Sequence, residues 1–154
     1  MTGFTLSLPN AAATRSLGVR LGQLCSPGSI LLLSGDLGAG KTTLVQGLGE
    51  GLAIPEAIVS PTFTLIVEYH EGRIPLYHLD LYRLQPHEVP GLNPELFWEG
   101  MEVEPGIVAI EWAQRLPYHP DSYLQVSLTH RQEHREAHLV PVGEFELDAI
   151  ALHP

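Results

Sequence analysis

The sequence predicts an α/β fold of three layers, with a mixed, mostly parallel central sheet and additional antiparallel hairpins. Two uniformly apolar runs, Ser29–Leu33 and Gly106–Ile110, have the composition of parallel strands that are buried on both faces. A glycine-rich segment over residues 35–42 joins the first run to a helical pattern, which is typical of a strand–loop–helix unit. The length of 154 residues suits one domain, so we expect a single domain over residues 1–154.

The first half of the chain predicts one further strand and two helices. Phe4–Leu8 alternates between apolar and polar residues, as a half-buried strand does. Asn10 can cap a helix that runs from about Ala11 to Leu24 and carries leucines along one stripe. A second helix should run from Lys41 to Leu52. Three glycines predict that its last turns fray: Gly47, Gly49 and Gly51.

The second half predicts two hairpins and one more helix. Phe63–His70 and Arg73–Asp80 have the pattern of two strands joined by a short turn. The triplet Asn93–Glu95 predicts a helix start, with the asparagine as cap and the proline at the first helical position. Ser122–Leu128 and Glu136–Val142 predict a final hairpin.

The glycine-rich segment carries the clearest chemical signal. Residues 35–42 read Gly-Asp-Leu-Gly-Ala-Gly-Lys-Thr and fit the phosphate-binding P-loop pattern, so the predicted fold is P-loop NTPase-like. In this pattern backbone N–H groups cradle the phosphates, the lysine reaches the β- and γ-phosphates, and the threonine hydroxyl reaches Mg²⁺. Lys41 is the only lysine in the chain. The predicted nucleotide-binding residues are Gly35, Asp36, Leu37, Gly38, Ala39, Gly40, Lys41, Thr42 and Thr43.

Two carboxylates are candidates to complete the site. A P-loop usually works with a carboxylate at the end of a neighbouring apolar strand, which helps to hold Mg²⁺. Glu111 follows the run that ends at Ile110, and Asp80 ends another strand-like segment. His78, two residues before Asp80, is expected to support that carboxylate rather than to bind metal. One of the two carboxylates could hold the metal while the other orients the attacking water. The bland alternative is that each merely caps a loop.

Two other features near these segments are weaker signals. The segment 60–64, Ser-Pro-Thr-Phe-Thr, lies where a switch could use Thr62 or Thr64 to contact Mg²⁺ or the γ-phosphate. An ordinary Ser-Pro turn is equally compatible with this pattern. Trp112 directly follows Glu111 and could lie beside the base or ribose, or be buried in the core.

Composition restricts partners and location. The formal net charge is −10, whereas a protein that binds nucleic acid by itself normally has a basic face. We therefore expect any contact with nucleic acid to be indirect or weak. The single cysteine, Cys25, suits a reducing compartment. The first residues lack the features of a signal peptide, and no run is long enough for a membrane span, so a cytoplasmic protein is expected.

Three other functions compete with a P-loop ATPase. A small-molecule kinase would need a lid, which Arg131 and Arg135 could furnish only from a probable hairpin turn. A guanine-selective GTPase would need a second lysine in its base-reading element, and this chain has none. The residues 130–134, His-Arg-Gln-Glu-His, match a zinc-hydrolase pattern, which requires a helix where we predict a turn.

Four segments together resemble one family. They are Gly-Asp-Leu-Gly-Ala-Gly-Lys-Thr-Thr at 35–43, Ser-Pro-Thr-Phe-Thr at 60–64, His-Leu-Asp-Leu-Tyr-Arg at 78–83 and Ile-Glu-Trp-Ala at 110–113. In sequence, order and spacing they resemble the TsaE (YjeE) family, the bacterial tRNA threonylcarbamoyladenosine biosynthesis ATPase. The resemblance covers nearly the whole chain. Gln114, where many relatives carry an acidic residue, and the stretch 85–104 depart from the family pattern.

The resemblance implies a function and a set of roles. It implies an ATPase, dependent on ATP and Mg²⁺, that works with the TsaD and TsaB proteins. That set modifies the adenosine beside the anticodon of tRNAs reading codons that begin with A, and the ATPase resets the TsaD–TsaB complex between turnovers. The tRNA is handled mainly by the partners. The implied residue roles are phosphate and Mg²⁺ for Lys41 and Thr42, metal for Glu111, hydrolysis for Asp80, nucleotide contact for Trp112, and partner contact for Tyr82 and Arg83.

Overall fold

A computed structural model describes residues 3–36, 38–61 and 64–147, and these residues form a seven-stranded mixed sheet with helices on one face. The sheet order is β1-β7-β6-β2-β5-β4-β3. The four middle strands run parallel, whereas the outer pairs β1–β7, β7–β6 and β4–β3 are antiparallel. The predicted fold class is therefore confirmed. The strands are β1 (Phe4–Leu8), β2 (Ile30–Ser34), β3 (Ile66–Tyr69), β4 (Leu76–Asp80), β5 (Ile107–Glu111), β6 (Tyr123–His130) and β7 (Arg135–Val142).

Two helices pack together on one face of the sheet. They are α1 (Ala11–Leu24), which Asn10 caps as predicted by accepting a hydrogen bond from the Ala13 N–H, and α2 (Lys41–Gly51). The prediction that the end of α2 frays is wrong, because its glycines allow α1 to approach closely. A methyl group on Gly47 would lie 2.1 Å from the carbonyl oxygen of Arg15 in α1. The helix pairing compensates for the low helix propensity of glycine.

Short segments cover the opposite face. They are a 3₁₀ helix over Pro86–Leu92, the single-turn helix α3 (Glu95–Trp98) and a 3₁₀ turn over Ala113–Arg115. The predicted cap at Asn93 is wrong by one residue. Asn93 adopts a left-handed conformation, with φ of 55°, and ends the preceding 3₁₀ helix, so Pro94 takes the cap position of α3. Apolar residues from these segments form a second core with β4 and β5.

The two predicted hairpins are present and the parallel strands align their ends. β3 pairs with β4 and β6 pairs with β7, both antiparallel. The predicted start of β3 at Phe63 lies outside the described residues. In the middle of the sheet Glu111 is in register with both Leu33 and Asp80. The end of β2, from which the P-loop departs, is therefore adjacent to both predicted carboxylates.

None of the described helices has both the length and the apolar character that crossing a membrane requires.

Candidate functional site

The P-loop turns from β2 into α2 at the carboxyl edge of the sheet. Gly40 begins α2 in a left-handed conformation, with φ of 108°, which residues with a Cβ rarely adopt. None of the described side chains caps this helix end, so the amides of its first turn are available to an anion. The Lys41 ammonium folds back along the loop and donates to the carbonyl oxygens of Gly35 at 2.5 Å and Asp36 at 2.9 Å.

Three side chains from three elements meet above β2. The Thr42 hydroxyl, in α2, lies 3.2 and 3.3 Å from the two carboxylate oxygens of Glu111 at the end of β5. Asp80 ends β4, and one of its oxygens accepts from the Tyr82 N–H at 3.0 Å. Glu111 and Asp80 are both buried. The sheet register thus unites residues that are far apart in sequence.

Burial shifts the pKa values of two charged side chains in this cluster. Desolvation raises the pKa of Asp80 above its ordinary value, and the neighbouring Glu111 adds to the rise, while the Tyr82 N–H, His78 and Lys41 oppose it. Desolvation also lowers the pKa of Lys41, against the attraction of Glu111, Asp80 and Asp36. Groups whose charge is costly to bury, gathered beside one cavity, are typical of functional sites.

The oxygen atoms of Thr42 and Glu111 fit the requirements of Mg²⁺. Neighbouring ligands of an octahedral magnesium ion lie about 3 Å apart when each is about 2.1 Å from the metal. The Thr42–Glu111 oxygen separations are close to this spacing. The described residues contain no group of three or more His, Cys, Asp or Glu side chains that could hold a metal alone. Magnesium that is bound by few protein ligands and by phosphates needs no such group.

A cavity of about 240 Å³ contains most of the predicted site residues. Its walls come from the P-loop, the start of α2 and the ends of β4 and β5. Gly35 and Asp36 contribute carbonyl oxygens to Lys41 but do not line the cavity, and Ala39 is buried in the core beside α2. The predicted Leu37 and Thr62 lie outside the described residues. The lining residues are Gly38, Gly40, Lys41, Thr42, Thr43, Ser60, Asp80, Tyr82, Glu111 and Trp112.

Trp112 covers the lysine side of this cavity. It adopts a left-handed conformation, with φ of 57°, immediately after β5, which turns its ring towards the P-loop. The ring centroid lies 4.4 Å from the Lys41 Nζ, a cation–π distance. Because the lysine of a P-loop serves the β- and γ-phosphates, this position is at the phosphate end of the site. Contact with the base or ribose, which the sequence suggested, stays a prediction.

An aromatic group supports Trp112 from outside. The Tyr82 ring packs against it with centroids 4.8 Å apart, and the Arg115 guanidinium lies 5.8 Å from both ring centroids. Arg115 also donates to the carbonyl oxygen of Leu84 at 2.9 Å. Sequence reasoning missed Arg115, because an arginine in an irregular segment carries no signal of its stacking partners.

The hydrogen bond of His78 differs from the sequence-based expectation. We expected this histidine, in β4, to support Asp80. Its Nε2 instead lies 2.6 Å from a carboxylate oxygen of Glu111, and both side chains are buried. His78 is nevertheless among the groups that lower the pKa of Asp80, so it acts on that carboxylate through its charge while its hydrogen bond goes to the neighbouring strand, β5.

The hairpin turn between β6 and β7 bears on the zinc-hydrolase and kinase alternatives, although Arg135 belongs to β7 and not to the turn. Residues 131–134 form that turn, as predicted, and therefore do not lie on the helix that a zinc-hydrolase motif requires. Arg131 pairs with Glu136 at 2.8 Å across the hairpin.

Comparisons of the sequence with known proteins all point to one family. A sequence model of one family, described as "Threonylcarbamoyl adenosine biosynthesis protein TsaE", matches residues 8–138. A protein from Nostoc sp. with the name tRNA threonylcarbamoyladenosine biosynthesis protein TsaE is 60% identical over 145 residues, which cover 94% of this chain and 90% of that protein. The Bacillus subtilis protein of the same name is 37% identical over 136 residues, 87% of this chain and 83% of that one.

A solved structure is similar over the same region. The crystal structure of Bacillus subtilis YdiB has a TM-score of 0.73 and 32% sequence identity to this chain. The similarity covers 92% of this chain and 87% of that one. The range that the family model matches, residues 8–138, includes both the P-loop and the strands that carry the carboxylates.

Proposed function

The chain belongs to the TsaE family, whose named members are tRNA threonylcarbamoyladenosine biosynthesis proteins, and we propose that it is the Mg²⁺-dependent ATPase of that modification. In this proposal its hydrolysis of ATP resets the TsaD–TsaB complex between rounds of modification of the adenosine beside the anticodon. The protein forms one P-loop ATPase domain over residues 1–154 and works in the cytoplasm. One observation carries the proposal: Lys41, Thr42, Asp80 and Glu111 line a single cavity at the P-loop.

Nucleotide binding is assigned to the P-loop and the start of α2. Backbone N–H groups at the beginning of α2 would receive the phosphates, and the Lys41 ammonium would exchange its carbonyl contacts for phosphate oxygens. Thr42 and Glu111 would hold Mg²⁺, which when bound neutralises charge on the phosphates. The buried surroundings strengthen each of these electrostatic contacts relative to water.

Hydrolysis is assigned to Asp80. It lines the same cavity as Lys41 and Glu111, and the Tyr82 N–H fixes one of its two oxygens. A carboxylate held in this way can orient a water molecule by accepting one of its hydrogen bonds. Desolvation, which raises the pKa of Asp80, also makes it a better proton acceptor than an exposed aspartate.

The net charge supports the proposal that the partners, and not this chain, bind most of the tRNA. With a net charge of −10, the chain lacks the excess of basic residues that phosphate contacts with tRNA would need. Tyr82 is 39% exposed and its neighbour Arg83 is also exposed, next to the mouth of the cavity. A partner that contacts this segment would therefore lie close to Asp80 and Trp112, and its contacts could respond to the nucleotide bound in the cavity.

The proposed role makes a prediction for reconstituted modification. We expect TsaD and TsaB alone to modify about one adenosine per complex, and addition of this protein with ATP and Mg²⁺ to permit repeated turnovers. The measurement is the number of modified adenosines per TsaD–TsaB complex over time. The isolated protein should bind tRNA poorly at physiological salt, because it lacks a basic face.

Two results would contradict this role. Multiple turnovers in the absence of the protein would show that no reset is needed. Restoration of turnover by a Lys41→Ala variant would show that the reset does not depend on the nucleotide. The matched control is Arg15→Ala, which also removes one positive charge but alters only an ion pair with Glu50 on the outer surface of α1 and α2.

Trp112 offers a direct signal of nucleotide binding. Its ring lies 4.4 Å from the Lys41 Nζ, so phosphates that draw the ammonium away change the electrostatic surroundings of the indole. We expect ATP or ADP to change the fluorescence of Trp112 saturably. The chain has two tryptophans, and a Trp98→Phe variant isolates this signal because Trp98 also packs against the second core but does not line the cavity. An unchanged Trp98→Phe spectrum at saturating nucleotide would place Trp112 away from the phosphates.

A further inference from the structure

We propose that His78 is a positioning residue that holds the Glu111 carboxylate in the orientation that binds Mg²⁺. The inference rests on the proposed function, because it assigns Glu111 to the metal. The two side chains come from neighbouring parallel strands, β4 and β5, and reach towards the same face of the sheet. The Nε2 of His78 lies 2.6 Å from one oxygen of Glu111.

The burial of His78 indicates that it is kept for this contact. The side chain has 0% exposure, and its Nδ1 is a buried atom without a hydrogen-bond partner among the described residues. A polar ring at such a position carries a desolvation cost that a leucine would avoid. Its Nε2–H bond to Glu111 is the only hydrogen bond that the described residues give the ring, so this bond is the main compensation for burying it.

Glu111 needs an orienting partner because its other contact is weak. The Thr42 hydroxyl lies at nearly equal distances, 3.2 and 3.3 Å, from both oxygens and so does not select one rotamer of the carboxylate. The bond from His78 fixes Oε2 and so selects one orientation of the carboxylate, in which Oε1 lies 3.2 Å from the Thr42 hydroxyl. Outer partners of this kind orient metal-binding carboxylates in many proteins, and their loss costs about tenfold to hundredfold in metal affinity.

The test compares two replacements of similar volume. His78→Leu removes the donor, whereas His78→Gln places an amide N–H at about the position of Nε2. The affinity for ADP is measured by calorimetry in EDTA and over a series of Mg²⁺ concentrations. We expect His78→Leu to need about tenfold to hundredfold more Mg²⁺ for the same gain in ADP affinity, with little change in EDTA. His78→Gln should recover most of the parental Mg²⁺ response.

Each contrary outcome has a distinct meaning. A parental Mg²⁺ response in His78→Leu overturns the inference and leaves the proposed function intact. The inference is also overturned if His78→Leu and His78→Gln lose the Mg²⁺ response equally. It is overturned as well if the ADP affinity falls as much in EDTA as in Mg²⁺. Either result would show that the ring matters only for packing. A parent whose ADP affinity does not respond to Mg²⁺ overturns the proposed metal site itself. His78→Met, which is apolar and more adaptable, replaces the leucine variant if that variant does not fold.

Discussion

Lys41→Ala is expected to bind ATP at least about thirtyfold more weakly than the parent while it remains folded. Removal of one partner from a desolvated, hydrogen-bonded charge pair costs about 2–5 kcal/mol, and each 1.4 kcal/mol corresponds to about a factor of ten in Kd. Lys41 is the only lysine in the chain and the only cation lining the described cavity. No other side chain that lines this cavity carries a positive charge that could replace it. Calorimetric titration with ATP and Mg²⁺ measures the effect.

The fold should tolerate this change for a physical reason. Desolvation lowers the pKa of Lys41, so burial of its charge opposes folding, and the alanine variant escapes that cost. Thermal unfolding close to that of the parent is the expected result. Arg15→Ala, with the same change in charge on the outer surface, should bind ATP as the parent does. A Lys41→Ala protein that binds ATP with parental affinity would show that the P-loop assignment is wrong.

Local sequence signals predicted the elements that depend on local physics. The cap at Asn10, the apolar run of β5 and the turn between β6 and β7 each follow from a few adjacent residues, and the structure contains all three. The end of α2 was mispredicted because helix propensity treats glycine in isolation. In the fold, Gly47 allows the backbone of α1 to approach, which no single helix reveals.

The site could be predicted in composition but not in geometry. The P-loop pattern and the strand-end positions identified Lys41, Asp80 and Glu111, because parallel strands bring their carboxyl ends to one edge of a sheet. Contacts between elements depend on register and side-chain rotamers. For this reason neither the hydrogen bond from His78 to Glu111 nor the stacking of Arg115 was predicted.

Glu111→Gln and Asp80→Asn are each expected to lower ATP hydrolysis about 100- to 1,000-fold, measured with TsaD and TsaB present. Both replacements keep the size of the side chain and remove its negative charge. Glutamine would weaken the metal site that Glu111 shares with Thr42, and asparagine would remove the proton-accepting oxygen of Asp80. Because these groups act mainly on the transition state, the affinity for ATP should change much less than the turnover rate.

The two variants separate the roles that the sequence left open between these carboxylates. If Glu111 holds Mg²⁺ and Asp80 orients the water, added Mg²⁺ should partly restore Glu111→Gln and leave Asp80→Asn inactive, because only the first defect is one of metal affinity. The reverse pattern would exchange the roles. Asp121→Asn, an exposed carboxylate that precedes β6, is the control for loss of charge. Near-parental turnover by either site variant would remove that residue from the hydrolytic machinery.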